Sequence, residues 1–90
     1  MTSDFHPPLK RSMTIAGHQT SISLEPIFWS ALESAAQAQG KPLSALVAEV
    51  DVARLEAPRV PNLTSALRQY LFGLRADRGG EAFATAGRAG

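Results

Sequence analysis

The residues best equipped for chemistry lie in one stretch, His18-Gln19-Thr20-Ser21-Ile22-Ser23-Leu24-Glu25-Pro26. Polar and apolar side chains alternate there, and along an extended strand successive side chains point to opposite faces. Gln19, Ser21 and Ser23 share one face; Thr20, Ile22 and Leu24 share the other. The first face offers an amide and two hydroxyls, groups that donate and accept hydrogen bonds. That is the chemistry of recognition. Catalysis finds no comparable set. His6 and His18 are the only histidines, and neither has a metal-ligand spacing with carboxylates. Ser21, Ser23, Ser44 and Ser65 lack a nearby base in a recognisable arrangement. Gly79-Gly80 lacks the strand and helix that frame a phosphate-cradling loop. The expectation is therefore no enzyme, no cofactor and no metal.

A second set of groups suits anions. Lys10 and Arg11 are adjacent cations at the end of a proline-broken start. They read as a phosphate-contacting arm or, more plainly, as solvated surface charge. Lys41-Pro42 precedes a helix whose first N–H groups, on Leu43, Ser44 and Ala45, lack a serine or threonine cap. Such a helix start can hold a phosphate, helped by Lys41 and Ser44, or can simply be capped by water. The formal net charge of +1 permits nucleic-acid binding and argues little for it.

The elements that must position these groups follow from periodicity and punctuation. Residues 1–10 contain Pro7-Pro8 and no periodic pattern, and read as a flexible arm. Ser12-Met13-Thr14-Ile15-Ala16 alternates and is extended; Gly17 then interrupts. Two paths fit: one long strand kinked at Gly17, or a separate extended segment before the strand at 18–24. The second is favoured. Pro26 opens a helix to about Gln39, with Phe28, Trp29, Leu32, Ala35 and Ala36 on one stripe. Trp29 sits on that stripe and reads as packing, not as a binding platform. Gly40 stops the helix. A second helix covers about Leu43 to Leu55, its apolar face built from Leu43, Leu46, Val47 and Val50. Asp51 and Arg54 are spaced to pair on it. Pro58 and Pro61 mark a linker, Asn62 is a good N-cap, and a third helix covers about Leu63 to Ala76. Leu63, Leu67, Tyr70, Leu71 and Leu74 face one way; Phe72 faces the other. Residues 11–78 thus form the domain, and the Gly- and Ala-rich residues 79–90 read as a disordered tail.

A chain of 90 residues without cysteines builds a modest core, and dimerisation is the available route to a larger one. Two copies pairing their 18–24 segments as an antiparallel ribbon would bury Thr20, Ile22, Leu24, Phe28, Trp29, Leu32, Leu46, Val47 and Val50, and present the polar face to DNA. No apolar run is long enough for a membrane span, and no signal-peptide core is evident near the start, so the expected location is cytoplasmic.

The order strand, proline-opened helix, glycine turn, helix resembles the ribbon–helix–helix DNA-binding fold. The likeness is closer still to short bacterial ribbon–helix–helix proteins, mostly uncharacterised. It is carried by Arg11-Ser12, Ala16-Gly17-His18, Thr20-Ser21, Leu24-Glu25-Pro26, Phe28-Trp29, Leu46-Val47-Ala48-Glu49, Asp51, Arg54 and Asn62-Leu63-Thr64-Ser65-Ala66. It implies a mainly α fold with a third helix added, assembled as an intertwined homodimer around a two-stranded antiparallel intersubunit ribbon. It also implies a transcriptional regulator that reads double-stranded DNA through Gln19, Ser21 and Ser23, with phosphate contacts at Leu43 and Ser44. Lys10, Arg11, His18 and Lys41 complete the expected phosphate set. Members often carry arginine on the strand; here no arginine or lysine lies between residues 12 and 40. The alternative is a protein-interaction module, such as an antitoxin, using Phe72 or the tail against a protein partner.

Overall fold

The computed structural model describes residues 5–79 and contains two strands followed by three helices. Strand β1 spans Leu9–Ile15 and β2 spans His18–Leu24. They pair antiparallel within the chain, from Leu9 opposite Leu24 to Ile15 opposite His18. The two residues between them both take positive φ, 52° at Ala16 and 84° at Gly17. Two successive positive φ values define the hairpin turn whose twist matches that of paired strands. This is why segment 18–24, expected against its own copy, finds a ladder partner in its own chain. Ala16 carries the steric cost of the left-handed region, about 1–2 kcal/mol for an ordinary residue and less for asparagine. Ala16→Asn should therefore raise stability by roughly 0.5–1 kcal/mol. Urea unfolding curves for the two proteins check this, and an unchanged midpoint would contradict the turn geometry.

β1 begins two residues earlier than the expected boundary of the arm, so Leu9 and Lys10 belong to the sheet. Trp29 holds this start in place: its Nε1–H donates to the Leu9 carbonyl at 2.8 Å. Residues 1–4 and 80–90, which include most of the expected tail, lie outside the described residues.

Helix α1 spans Pro26–Ala38, α2 Leu43–Leu55 and α3 Leu63–Gly79. Pro26 occupies the first turn of α1, where its missing N–H costs nothing. Gly40, at φ 66°, lets the chain leave α1 while the N–H groups of Gly40 and Lys41 bond back to Gln37 and Ala36. Asn62 caps α3, its Oδ1 accepting from the Ser65 N–H at 2.7 Å. The helix continues past Ala76 to Gly79, since Asp77 and Arg78 offer no stop signal.

The inner face of the hairpin packs on the helices. Ile15, Ile22, Leu24, Trp29, Leu32, Leu46, Val47, Val50 and Leu67 are buried together. Thr20 and Phe28 are half-buried. Seven of the nine residues expected in a shared dimer core are thus buried within a single chain, Thr20 and Phe28 being the exceptions. The physical reason is α3, which lays Ala66 and Leu67 into that core, with Leu63, Tyr70, Leu71 and Leu74 packed against it. Polar ties fix the arrangement: Gln39 Nε2 donates to the Tyr70 hydroxyl at 2.8 Å, and Arg54 bonds Asp51 and the Pro61 carbonyl at 2.6 and 3.1 Å.

Candidate nucleic-acid interface

Pairing of β1 with β2 sorts the hairpin into two faces. Leu9, Arg11, Met13 and Ile15 alternate onto the side of Thr20, Ile22 and Leu24, toward the helices. Lys10, Ser12 and Thr14 fall opposite Ser23, Ser21 and Gln19. All six of these residues are exposed. The outer face is therefore an uninterrupted polar surface with one cation and no acid. Two cross-strand contacts organise it. The Thr14 hydroxyl donates to Gln19 Oε1 at 2.9 Å, and the hydroxyls of Ser12 and Ser21 lie 3.3 Å apart.

The expected base readers Gln19, Ser21 and Ser23 thus lie side by side on one exposed face, and Lys10 joins them at the end nearest Ser23. The remaining expected phosphate contacts are dispersed. Arg11 lies on the helix side, paired with Glu33 at 2.7 Å and stacked 4.8 Å from the centre of the Trp29 ring. His18 shares the strand phase of Thr20 and is exposed next to the turn. Lys41 is ion-paired with Glu49 at the start of α2. Leu43 and Ser44 are half-buried in the first turn of α2, which has no side-chain cap and no acidic residue. That turn keeps the positive end of the helix dipole uncompensated by its own side chains.

Ser12 and Thr14 were not among the expected contacts. The signal that places them was present: two residues separate two alternating segments, and a two-residue turn fixes the register and hence the face. Reading Ala16 as the end of the first segment left one residue for the turn and hid that count.

Just after β2, Glu25 Oε1 accepts from Arg68 at 2.8 Å, and the Arg68 guanidinium lies 5.4 Å from the Phe28 ring centre. The Arg68 hydrogen bond, with one from the Glu25 backbone, holds this carboxyl below its ordinary value of 4.5 against the opposing effect of desolvation. A carboxyl depressed on folding stabilises the fold above its unfolded value, and that contribution disappears as pH falls through the lower folded value. Glu25→Gln and Arg68→Met should therefore flatten the acid branch of the melting-temperature profile below 4.5. Branches as steep as the parent's would show that the pair does not couple folding to protons.

α1 and α3 leave an apolar groove between them, lined by Phe28, Ala31, Ala35, Leu71 and Leu74 and having a cavity volume of about 470 Å³. Ile27 and Phe72 stand at this groove and are 72% and 73% exposed. No helix among the described residues is long and apolar enough to cross a membrane.

No curated protein and no solved structure matches the chain significantly. A family model for the ribbon-helix-helix domain matches residues 8–74, from just before β1 into α3. The match takes in both strands, α1 and α2 in the order that defines the fold, and the chain belongs to the ribbon–helix–helix domain family.

Proposed function

We propose that the protein is a sequence-specific DNA-binding transcriptional regulator that acts as a homodimer and presents the outer face of the hairpin to the major groove. The observation that carries this reading is the exposed, acid-free row of hydrogen-bonding side chains on β1 and β2. The major groove admits a two-stranded ribbon, and amide and hydroxyl groups bond to base edges there. Gln19, Ser21 and Ser23 are the base readers. Lys10 and the start of α2, with Leu43, Ser44 and Lys41, supply the phosphate contacts, and His18 and Arg11 border the hairpin. The hairpin is a two-stranded sheet, so β2 keeps one edge without a ladder partner among the described residues. Antiparallel pairing of two such edges would give a four-stranded sheet across the dimer axis, with both outer faces on one side.

Selection of bound duplexes from a random pool tests this. A palindromic site should emerge, since two-fold protein symmetry is mirrored in the operator. Gln19→Ala should relax choice at one base pair per half-site, a loss of about 1–3 kcal/mol of discrimination. Lys10→Ala should weaken binding to all duplexes alike and lower the salt slope by roughly one per subunit.

If no duplex is retained at low salt, this reading is lost and a second stands in its place: a protein-interaction module, such as an antitoxin. Ile27 and Phe72, exposed beside the apolar groove, favour that reading.

A further inference from the structure

We infer that β1 is a second reading strand, and that Thr14 selects what Gln19 reads by engaging its amide oxygen. This rests on the DNA-binding reading above. Thr14 and Gln19 are direct cross-strand partners on the exposed face, and the Thr14 hydroxyl donates to Gln19 Oε1 at 2.9 Å. A glutamine amide has two N–H donors and two acceptor lone pairs. Free of partners, it pairs with adenine by accepting from N6–H and donating to N7. With Thr14 on Oε1, one lone pair is occupied and the Nε2 donors dominate what the side chain offers. An acceptor-rich edge then fits better: guanine presents both N7 and O6 as acceptors in the major groove.

The contact also lowers the entropy cost of reading. Gln19 is exposed, and an exposed glutamine loses substantial rotamer freedom when it is fixed on a base. A hydrogen bond already made in the free protein removes part of that loss. Thr14 is accordingly a positioning residue for Gln19. Ser12, paired with Ser21 at 3.3 Å, extends the same surface with hydroxyls that can either donate or accept.

The test is duplex selection followed by binding to duplexes that vary only at the base pair whose preference Gln19→Ala abolishes. The proteins compared are the full chain, Thr14→Val and Thr14→Ser. Valine keeps the shape and strand preference but removes the hydroxyl; serine restores it. Thermal melts confirm that all three are folded. The parent and Thr14→Ser should prefer guanine there by about tenfold, and Thr14→Val should lose that preference or move it to adenine. The salt slope should stay unchanged, because residue 14 is uncharged in all three proteins and neutralises no phosphate. A base preference that Thr14→Val leaves unmoved overturns the inference, as does a uniform loss of affinity with the preference intact. An adenine preference in the parent that is indifferent to residue 14 also overturns it. Should the parent retain no duplex at all, the DNA-binding reading fails and this inference falls with it. That outcome is distinct, because Gln19→Ala then has no preference to abolish.

Discussion

Ile22→Asp should leave the chain unfolded in buffer. Ile22 is 3% exposed, on the inner face of β2 and within the core that contains Leu24, Leu32, Leu46 and Leu67. Arg11 lies directly opposite on β1, but its guanidinium is half-exposed and already engaged by Glu33 and the Trp29 ring, so a carboxylate at position 22 gains no free partner among the described residues. An uncompensated buried charge costs about 3–5 kcal/mol beyond the lost isoleucine packing. A domain of this size has a total stability of roughly 5–13 kcal/mol, so most of it would be removed. Ser21→Asp is the matched control. It lies one residue away on the exposed face, and should change stability by no more than about 0.5 kcal/mol. Circular dichroism and urea unfolding read both. A folded Ile22→Asp protein would mean that β2 does not bury this face.

Trp29→Ala comes next in expected effect, at about 3–5 kcal/mol. The indole is 1% exposed and does three things at once. It fills the space between α1 and the hairpin, donates to the Leu9 carbonyl at 2.8 Å, and receives the Arg11 guanidinium 4.8 Å from its ring centre. Trp29→Phe separates these roles. It keeps most of the packing and removes the donor, at a cost of about 0.5–1.5 kcal/mol for one hydrogen bond. The loss should be local. Amide exchange should accelerate along β1 while α2 keeps its protection, because β1 is tied to the helices through Leu9 and Arg11. Uniform acceleration throughout the chain would show that the tryptophan serves the core alone. The same variant bears on function, since a loosened β1 carries Lys10, Ser12 and Thr14 with it.

Much of this arrangement was legible without coordinates. The alternation at 18–24 set the buried and exposed faces of β2, because side-chain direction in a strand is fixed by backbone geometry alone. Pro26, Gly40, Pro42 and Asn62 bounded the helices through local sterics and capping, which act within a few residues. The spacing of Asp51 and Arg54 announced their ion pair for the same reason. Less legible was Arg11. From the sequence it is one of two adjacent cations that share the same two readings, phosphate contact or surface charge; in the fold, strand alternation sends Lys10 outward and Arg11 onto Glu33 and Trp29, 22 and 18 positions away in sequence.

The sequence by itself determined β2, the three helices to within a few residues, and which side chains of β2 face outward, because those outcomes depend on φ/ψ limits and on periods of two and 3.6 residues; the start of β1 at Leu9 lay in the expected arm. Only the tertiary structure decided that β2 pairs with β1, that α3 closes the core within one chain, and that Thr14 rather than solvent holds the Gln19 amide. Those outcomes depend on which of several compatible surfaces meet. For the hairpin the two-residue turn carries a local signal, whereas the docking of α3 is decided by burial summed over the whole chain.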